Sequence, residues 1–214
     1  MSRSIQVYIV DDDDAVRGSI CWLLESNDHP ATGLASGQDL LDLLPLEGQA
    51  CIVTDVRMPA MTGIELMEAL IARGSNIPVV VITAHGDIQM AVEAMKLGAL
   101  DFVEKPFEEK ALVQAVERAL DESRRRLETL SVDADVRRRF QQLTTREREV
   151  LEMILAGRPN RGVAKDLAIS EKTVEAHRAH IMEKTGATSF AELVTKAVQT
   201  QFLKTWRSRT SSED

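Results

Sequence analysis

Acidic, hydroxyl and ammonium side chains follow four apolar segments in the first half of the chain. They are Asp11, Asp12, Asp13, Asp14, Asp55, Thr83 and Lys105. The segments before them, residues 5–10, 50–54, 79–83 and 100–103, are short and apolar, as buried strands are. Neighbouring parallel strands end at the same edge of a sheet, where the ligands of such folds bind. We therefore expect these side chains to converge at one sheet edge.

Aspartates gathered in this way suit phosphoryl chemistry with a metal ion. Two carboxylates about 4 Å apart repel by about 4 kcal/mol at an effective dielectric constant of about 20, so the group needs a cation. All-oxygen ligands favour Mg²⁺, which takes a few carboxylates together with a phosphate oxygen. A carboxylate can also attack phosphorus and form an acyl phosphate. Lys105 would then hold one phosphate oxygen, and Thr83 would donate a hydrogen bond to another.

Strand and helix patterns alternate over residues 5–122 and would position these groups. Strands are predicted at 5–10, 31–35, 50–54, 79–83 and 100–103. Helical spacing is present at 15–25, 40–44, from a capping box at Thr62 onward, at 87–97 and at 106–123. This alternation predicts a five-stranded, doubly wound parallel sheet with helices on both faces, an α/β fold.

The composition excludes several classes of protein. With 44% hydrophobic residues in 214, the chain is not intrinsically disordered. It lacks the roughly 20 consecutive apolar residues of a membrane span, and no secretory signal is visible. Cys21 and Cys51 have apolar neighbours and form no CxxC pair, which indicates buried free thiols. We expect a soluble, cytoplasmic protein with no membrane partner.

The net charge of −8 is divided unevenly along the chain. Residues 1–122 carry 8 basic and 21 acidic side chains, a net charge of −13, whereas residues 123–214 carry 18 and 13, a net charge of +5. The second part therefore remains compatible with nucleic acid. We expect a first domain at 1–122, a charged and partly helical linker at 123–142, a second domain at 143–206 and a polar tail at 207–214.

The second domain contains only helical patterns. Capping boxes at Thr144 and Ser189, with helix starts at Asn160 and Ser170, predict four helices. A short helix, a turn and a longer helix suggest a helix-turn-helix unit that binds DNA through the helix after Ser170. Its expected DNA contacts are Lys172, Thr173, Glu175, Ala176, Arg178 and Ala179. Further candidates for phosphate contacts are Arg158, Arg161, Lys165 and Lys184.

Four segments of the first domain resemble the sequence signatures of CheY-like receiver domains. They are IVDDDDAVR at 9–17, TDVRMPAMTG at 54–63, VITAHG at 81–86 and DFVEKPF at 101–107. They occur in the family's order, cover about 120 residues and are most similar to receivers of the FixJ type. The resemblance implies strand order 2-1-3-4-5, a cis peptide between Lys105 and Pro106, and phosphorylation by a sensor histidine kinase.

The resemblance also implies a role for each residue of the site. Asp55 would be the phosphoacceptor, and Mg²⁺ would be held by Asp11, Asp12, Asp55 and the backbone carbonyl of Arg57. Thr83 and Phe102 would form the switch pair, and Lys105 would contact the phosphate. Many receivers have Tyr where this chain has Phe102, so a switch here must work through packing and not through a hydroxyl group.

The second domain is similar to the LuxR/NarL-type DNA-binding domain. The matching segments are LTTREREVL at 143–151, GRPN at 157–160, ISEKTVEAHR at 169–178 and IMEK at 181–184. Together the two resemblances imply a response regulator that is not an enzyme. Phosphorylation would promote homodimerisation and binding to double-stranded promoter DNA, with RNA polymerase as a possible partner.

Three alternatives remain open from the sequence. Asp12-x-Asp14-x-Val16 fits the nucleophile motif of haloacid-dehalogenase-like phosphohydrolases. That interpretation leaves Asp55 and the helical half without a role. A vestigial receiver, regulated without phosphorylation, is the second alternative. In the third, the second domain is a helical bundle that binds protein. Its net charge of +5 is modest and does not by itself require a nucleic-acid partner.

Overall fold

The computed structural model describes residues 5–84 and 88–199. It divides into two compact units, Met1–Glu128 (unit 1) and Thr129–Asp214 (unit 2). The end of the predicted second domain, at 206, and the predicted tail at 207–214 lie outside the described residues. The elements in chain order are β1 (Ile5–Val10), α1 (Asp14–Ser26), β2 (Ala31–Leu34), α2 (Gly37–Asp42), β3 (Gln49–Asp55), α3 (Gly63–Ala72), β4 (Val79–Ala84), α4 (Ile88–Lys96), β5 (Asp101–Lys105), α5 (Glu109–Gln141), α6 (Thr145–Leu155), α7 (Asn160–Asp166), α8 (Glu171–Thr185) and α9 (Phe190–Gln199).

Unit 1 contains the predicted sheet. Its five strands are parallel and follow the order β2-β1-β3-β4-β5, which confirms the predicted fold. Val10 pairs with Thr54, and Asp55 pairs with Ile82, so β1, β3 and β4 end close together. Ala84 pairs with Lys105, which brings the end of β5 to the same edge.

Apolar side chains cover both faces of the sheet. On one face, Val7, Val53 and Ile82 pack against residues of α1 and α5 such as Leu24 and Leu112. On the other face, the strands pack against α2, α3 and α4. Cys51 lies within the first of these layers as predicted, and burial raises the pKa of its thiol to about 12. Cys21 is only half-buried.

Unit 2 is a helical unit with its own core. Val150, Leu151, Val174 and Ile181 are buried there, as the spacing of apolar residues predicts. Helix α5 continues to Gln141, beyond the predicted last helix of the receiver. Two of its side chains from the predicted linker segment, Val136 and Phe140, are buried in the core of unit 2.

Within the described ranges, each helix is either too short or too polar to cross a bilayer.

Candidate functional site

The ammonium group of Lys105 lies between two carboxylates at the carboxyl edge of the sheet. Its Nζ atom donates hydrogen bonds to Oδ2 of Asp55 at 2.5 Å and to Oδ2 of Asp11 at 3.1 Å. Burial alone would lower the pKa of Lys105, but the hydrogen bonds to Asp55 and Asp11 and their negative charges raise it above its ordinary value. Lys105 is therefore positively charged at neutral pH. The peptide between Lys105 and Pro106 is cis, as the resemblance implied.

The loop after β3 holds the Asp55 side chain. Oδ1 of Asp55 accepts a hydrogen bond from the backbone N–H of Arg57 at 3.1 Å. The loop then turns back on the strand, and Gly63 donates its N–H to the Val56 carbonyl at 2.9 Å. A Cβ atom at Gly63 would overlap the Asp55 carbonyl oxygen. Glycine is thus needed for the loop to pass this close to the site.

The acidic side chains at this edge of the sheet differ in burial. Within residues 5–84 and 88–199, no three acidic, His or Cys side chains lie close enough to hold a metal ion by themselves. Asp11 is buried and shares Lys105 with Asp55, whereas Asp12 is exposed. The Lys105 ammonium thus pairs with the carboxylates of both Asp11 and Asp55.

These donors nevertheless fit a hard divalent cation. They are all oxygen atoms, and they come from Asp11, Asp12, Asp55 and the backbone carbonyl of Arg57, two residues after Asp55. The Asp11 carboxylate is almost fully buried and carries a charge that needs compensation. Such a donor set suits Mg²⁺, which keeps several water ligands and needs few protein ligands.

The two predicted switch residues are in different environments. Thr83 is buried at the end of β4, and its hydroxyl donates to the Ala84 carbonyl at 3.3 Å. The Phe102 side chain is 48% exposed. Both line a groove of about 560 Å³, whose other walls include Val92 and Met95 of α4. The groove therefore opens beside Thr83.

Helix α8 presents an exposed face in unit 2. Ser170 caps the helix, accepting a hydrogen bond from the N–H of Thr173 at 3.0 Å. Val174 and Ile181 face the core, and the exposed residues include Lys172, Glu175, Ala176 and Ala179. The structure therefore brings four of the six predicted DNA contacts together on one accessible face. Thr173 and Arg178 lie beside it and are half-buried.

Arg178 is held in place by two neighbours. Its Nη1 atom donates to Oδ1 of Asn160 at 3.2 Å, and its guanidinium group lies 5.7 Å from the centre of the Phe190 ring. A cation over an aromatic face is attracted by the ring's quadrupole. Arg178 thus links α8 to the first residues of α7 and α9.

Lys184 has a role that the sequence analysis missed. It donates to both carboxylate oxygens of Glu147, at 2.9 and 2.7 Å. Glu147 also closes the capping box with Thr144 at the start of α6. Burial would raise the pKa of Glu147, but its bonds to Lys184 and Thr144 lower it below the ordinary value. Lys184 therefore joins α8 to α6, which argues against its prediction as a phosphate contact.

Comparisons with known proteins decide the family. Residues 7–117 match the response regulator receiver domain, and residues 141–197 match the luxR family of bacterial regulatory proteins. The chain is 46% identical over 199 residues to the transcriptional regulatory protein FixJ of Azorhizobium caulinodans, covering 92% of this chain and 94% of that protein. This chain belongs to the FixJ-like response regulators.

Other response regulators support this assignment. The tetrathionate response regulatory protein TtrR of Salmonella typhimurium is 41% identical over 192 residues, covering 88% of this chain and 89% of that protein. The solved structure of the response regulator StyR has a TM-score of 0.78 at 41% identity, covering 91% of this chain and 98% of that one. The FixJ-like architecture combines a receiver with a LuxR-type DNA-binding domain, which implies a kinase partner and DNA. Regulators of this family are transcription factors and generally not enzymes.

Proposed function

We propose that Asp55 is the phosphoacceptor of this response regulator and that its phosphorylation controls DNA binding by α8. The main support is the position of Lys105, whose ammonium group contacts both Asp55 and Asp11. A phosphoryl group on Asp55 would lie within reach of this ammonium and of the Thr83 hydroxyl at the adjacent strand end. Asp14 pairs with Arg17 instead. The phosphohydrolase interpretation, which needs Asp12 and Asp14 at the reaction centre, has no comparable support.

In the proposed transfer, a carboxylate oxygen of Asp55 attacks the phosphorus of a phosphohistidine on the sensor kinase. The new P–O bond forms as the P–N bond breaks, and the electron pair of that bond returns to the imidazole. Asp11, Asp12, Asp55 and the Arg57 carbonyl would hold Mg²⁺, which neutralises charge on the phosphoryl oxygens when bound. Lys105 exchanges its contact with Asp55 for a phosphoryl oxygen, which keeps the added charge compensated.

The response to phosphorylation is proposed to pass through the groove between α4 and β5. Thr83 would donate its hydroxyl to the phosphoryl group, and Phe102 would turn into the space beside it. This changes the surface formed by α4 and β5 and favours a homodimer. A dimer can read two half-sites one DNA turn apart, or a multiple of that distance.

On the DNA, the predicted contacts divide into two kinds. Lys172 and Arg178 contact phosphates, whereas Glu175, Ala176 and Ala179 face base edges and Thr173 lies beside them. RNA polymerase is a further proposed partner, and the protein would act in the cytoplasm, where its DNA lies. The proposed domain limits remain 1–122, 123–142, 143–206 and 207–214, with Val136 and Phe140 adding to the core of the DNA-binding domain.

The test is labelling of the full chain with radioactive acetyl phosphate. We expect Mg²⁺-dependent label on the wild type, none on Asp55→Asn, and wild-type labelling of Asp42→Asn, a control at an exposed aspartate on α2. Stable label on Asp55→Asn would contradict the proposal. Repeated turnover of p-nitrophenyl phosphate that depends on Asp12 but not on Asp55 would favour the phosphohydrolase. Wild-type protein that takes no label would favour the vestigial receiver.

A further inference from the structure

Arg17, on the first turns of α1, is tied to the backbone of the acidic site. Its Nη1 atom donates to the backbone carbonyl of Asp11 at 2.6 Å, and Nη2 forms an ion pair with Asp14. The Arg17 side chain is only 17% exposed, whereas the Asp14 side chain is 89% exposed. The bond to the Asp11 carbonyl is therefore the more protected of the two contacts.

The carbonyl that Arg17 binds belongs to the peptide that joins Asp11 to Asp12. Its orientation sets the direction in which both acidic residues leave the end of β1. The Asp11 carboxylate is itself held by the N–H of Asp13, at 2.9 Å, and by Lys105. Arg17 thus fixes the one peptide group shared by the two residues that would hold Mg²⁺.

Gly33 of β2 provides the space in which Arg17 lies. A Cβ atom at Gly33 would be 2.9 Å from Cγ of Arg17, closer than real Cβ atoms come to a neighbour, and 3.1 Å from its Cδ, which is a tight contact. It would also lie 3.2 Å from Sγ of Cys21 on the same helix. The stem of Arg17 therefore packs directly on the backbone of β2, and any side chain at position 33 must displace it.

We propose that Arg17 is a positioning residue for the Asp11–Asp12 pair and that Gly33 holds Arg17 in place. The inference rests on the proposed Mg²⁺-dependent function of the site. Charge and position act in opposite directions here. As a cation beside acidic ligands, Arg17 repels Mg²⁺, so its loss would tighten Mg²⁺ binding if charge alone mattered. If its hydrogen bond orients the ligands, its loss must weaken Mg²⁺ binding.

Calorimetric titration of the full chain with Mg²⁺ separates these effects. We expect Arg17→Ala to bind Mg²⁺ about tenfold more weakly, as is typical when a residue that orients metal ligands is removed. Arg17→Lys keeps the charge but lacks the two guanidinium nitrogens that contact Asp11 and Asp14, and we expect an intermediate affinity for Mg²⁺. The matched control is Arg73→Ala, because Arg73 also donates to a backbone carbonyl, that of Leu41 at 3.0 Å, and should leave Mg²⁺ affinity unchanged.

A second variant keeps the inference testable if Arg17→Ala is poorly folded. Gly33→Ala should weaken Mg²⁺ binding by displacing Arg17, and the double variant should bind no more weakly than Arg17→Ala alone, because both changes act through one contact. Unchanged or tighter binding by Arg17→Ala, additive losses, or an equal loss in Arg73→Ala would overturn the inference. If the wild type itself binds no Mg²⁺, the proposed function fails as well.

Discussion

Lys172 is exposed in the first turn of α8, beside the small side chains of Ala176 and Ala179. A lysine that contacts a DNA phosphate displaces about one counterion, so its removal reduces the salt dependence of binding. We expect Lys172→Ala to weaken binding to DNA of mixed sequence and to reduce the slope of log K against log salt by about 0.9. Fluorescence anisotropy at several salt concentrations measures this slope.

Lys110→Ala is a suitable control for this measurement, because Lys110 is an exposed lysine on α5 of unit 1. It should leave both the affinity and the slope unchanged. An unchanged slope in Lys172→Ala would place the DNA-binding surface away from this face of α8.

Glu192 makes the stability of unit 2 depend on pH. Its bonds to the Lys196 ammonium and to the hydroxyl and N–H of Thr188 lower its pKa from 4.5 to about 2. The folded state therefore favours the carboxylate, and this stabilisation is present above pH 4.5 and lost as the pH falls toward about 2. Urea unfolding gives the free energy of unfolding at each pH. We expect this free energy to vary less with pH in Glu192→Gln than in the wild type between pH 4.5 and about 2.

Lys196→Met is the matched variant, since it removes the other half of the pair, and it should flatten the same part of the profile. If the free energy of unfolding of Glu192→Gln varied with pH as it does in the wild type, the pair would not couple protonation to folding.

Single residues differ in how far the sequence predicts them. Asp55 and Lys105 were predictable because each follows an apolar strand and parallel strands end at one edge. The contact of Arg17 was not predictable, because its partner is a backbone carbonyl and every residue in the chain has one. The ion pair of Lys184 was not predictable because its partner Glu147 is 37 positions away, and an exposed lysine and a paired lysine look alike in sequence.

Helix α5 shows the same limit at the scale of elements. The five strands follow from their apolar runs, but the charged composition of 123–142 indicated a linker. The helical spacing of apolar residues is hard to recognise there, because only a few positions of the segment, among them Val136 and Phe140, are buried. Phe140→Ala should destabilise unit 2 by about 3–5 kcal/mol, the usual cost of truncating a buried aromatic residue.

Hydrogen exchange of the α8 amides measures this change, since those amides report on opening of unit 2. Leu130→Ala is the control, because Leu130 is on the same helix but 53% exposed, and it should exchange as the wild type does. Equal exchange in Phe140→Ala and wild type would show that the end of α5 contributes nothing to the core.

The ion pair between Glu147 and Lys184 is a second feature of element packing. Lys184→Met removes the ammonium partner of the nearly buried Glu147 carboxylate and leaves its bonds to Thr144. Loss of a hydrogen-bonding partner to a buried charged group costs about 2 kcal/mol. We therefore expect exchange of the α8 amides to be about 30-fold faster, since 1.4 kcal/mol corresponds to a factor of ten. The exposed Lys165→Ala should have no such effect, and equal rates in both variants would contradict the role given to the pair.

At the scale of the whole molecule, charge is separated between the two parts. Residues 1–122 carry a net charge of −13, and residues 123–214 carry +5. The acidic part repels DNA, whereas the basic part attracts it. A change of charge or conformation in unit 1 can therefore raise or lower the affinity for DNA. Couplings between sites in regulatory proteins are typically about 1–3 kcal/mol, which corresponds to a change in affinity of about 5- to 150-fold.

Retention of genomic DNA fragments by the full chain, with and without acetyl phosphate and Mg²⁺, tests the coupling most directly. We predict that the phosphodonor increases retention of a specific set of fragments by the wild type, within the range of about 5- to 150-fold. Asp55→Asn should retain the same fragments weakly, whether or not the donor is present. Equal retention by phosphorylated wild type and Asp55→Asn would contradict the proposed control of DNA binding by Asp55.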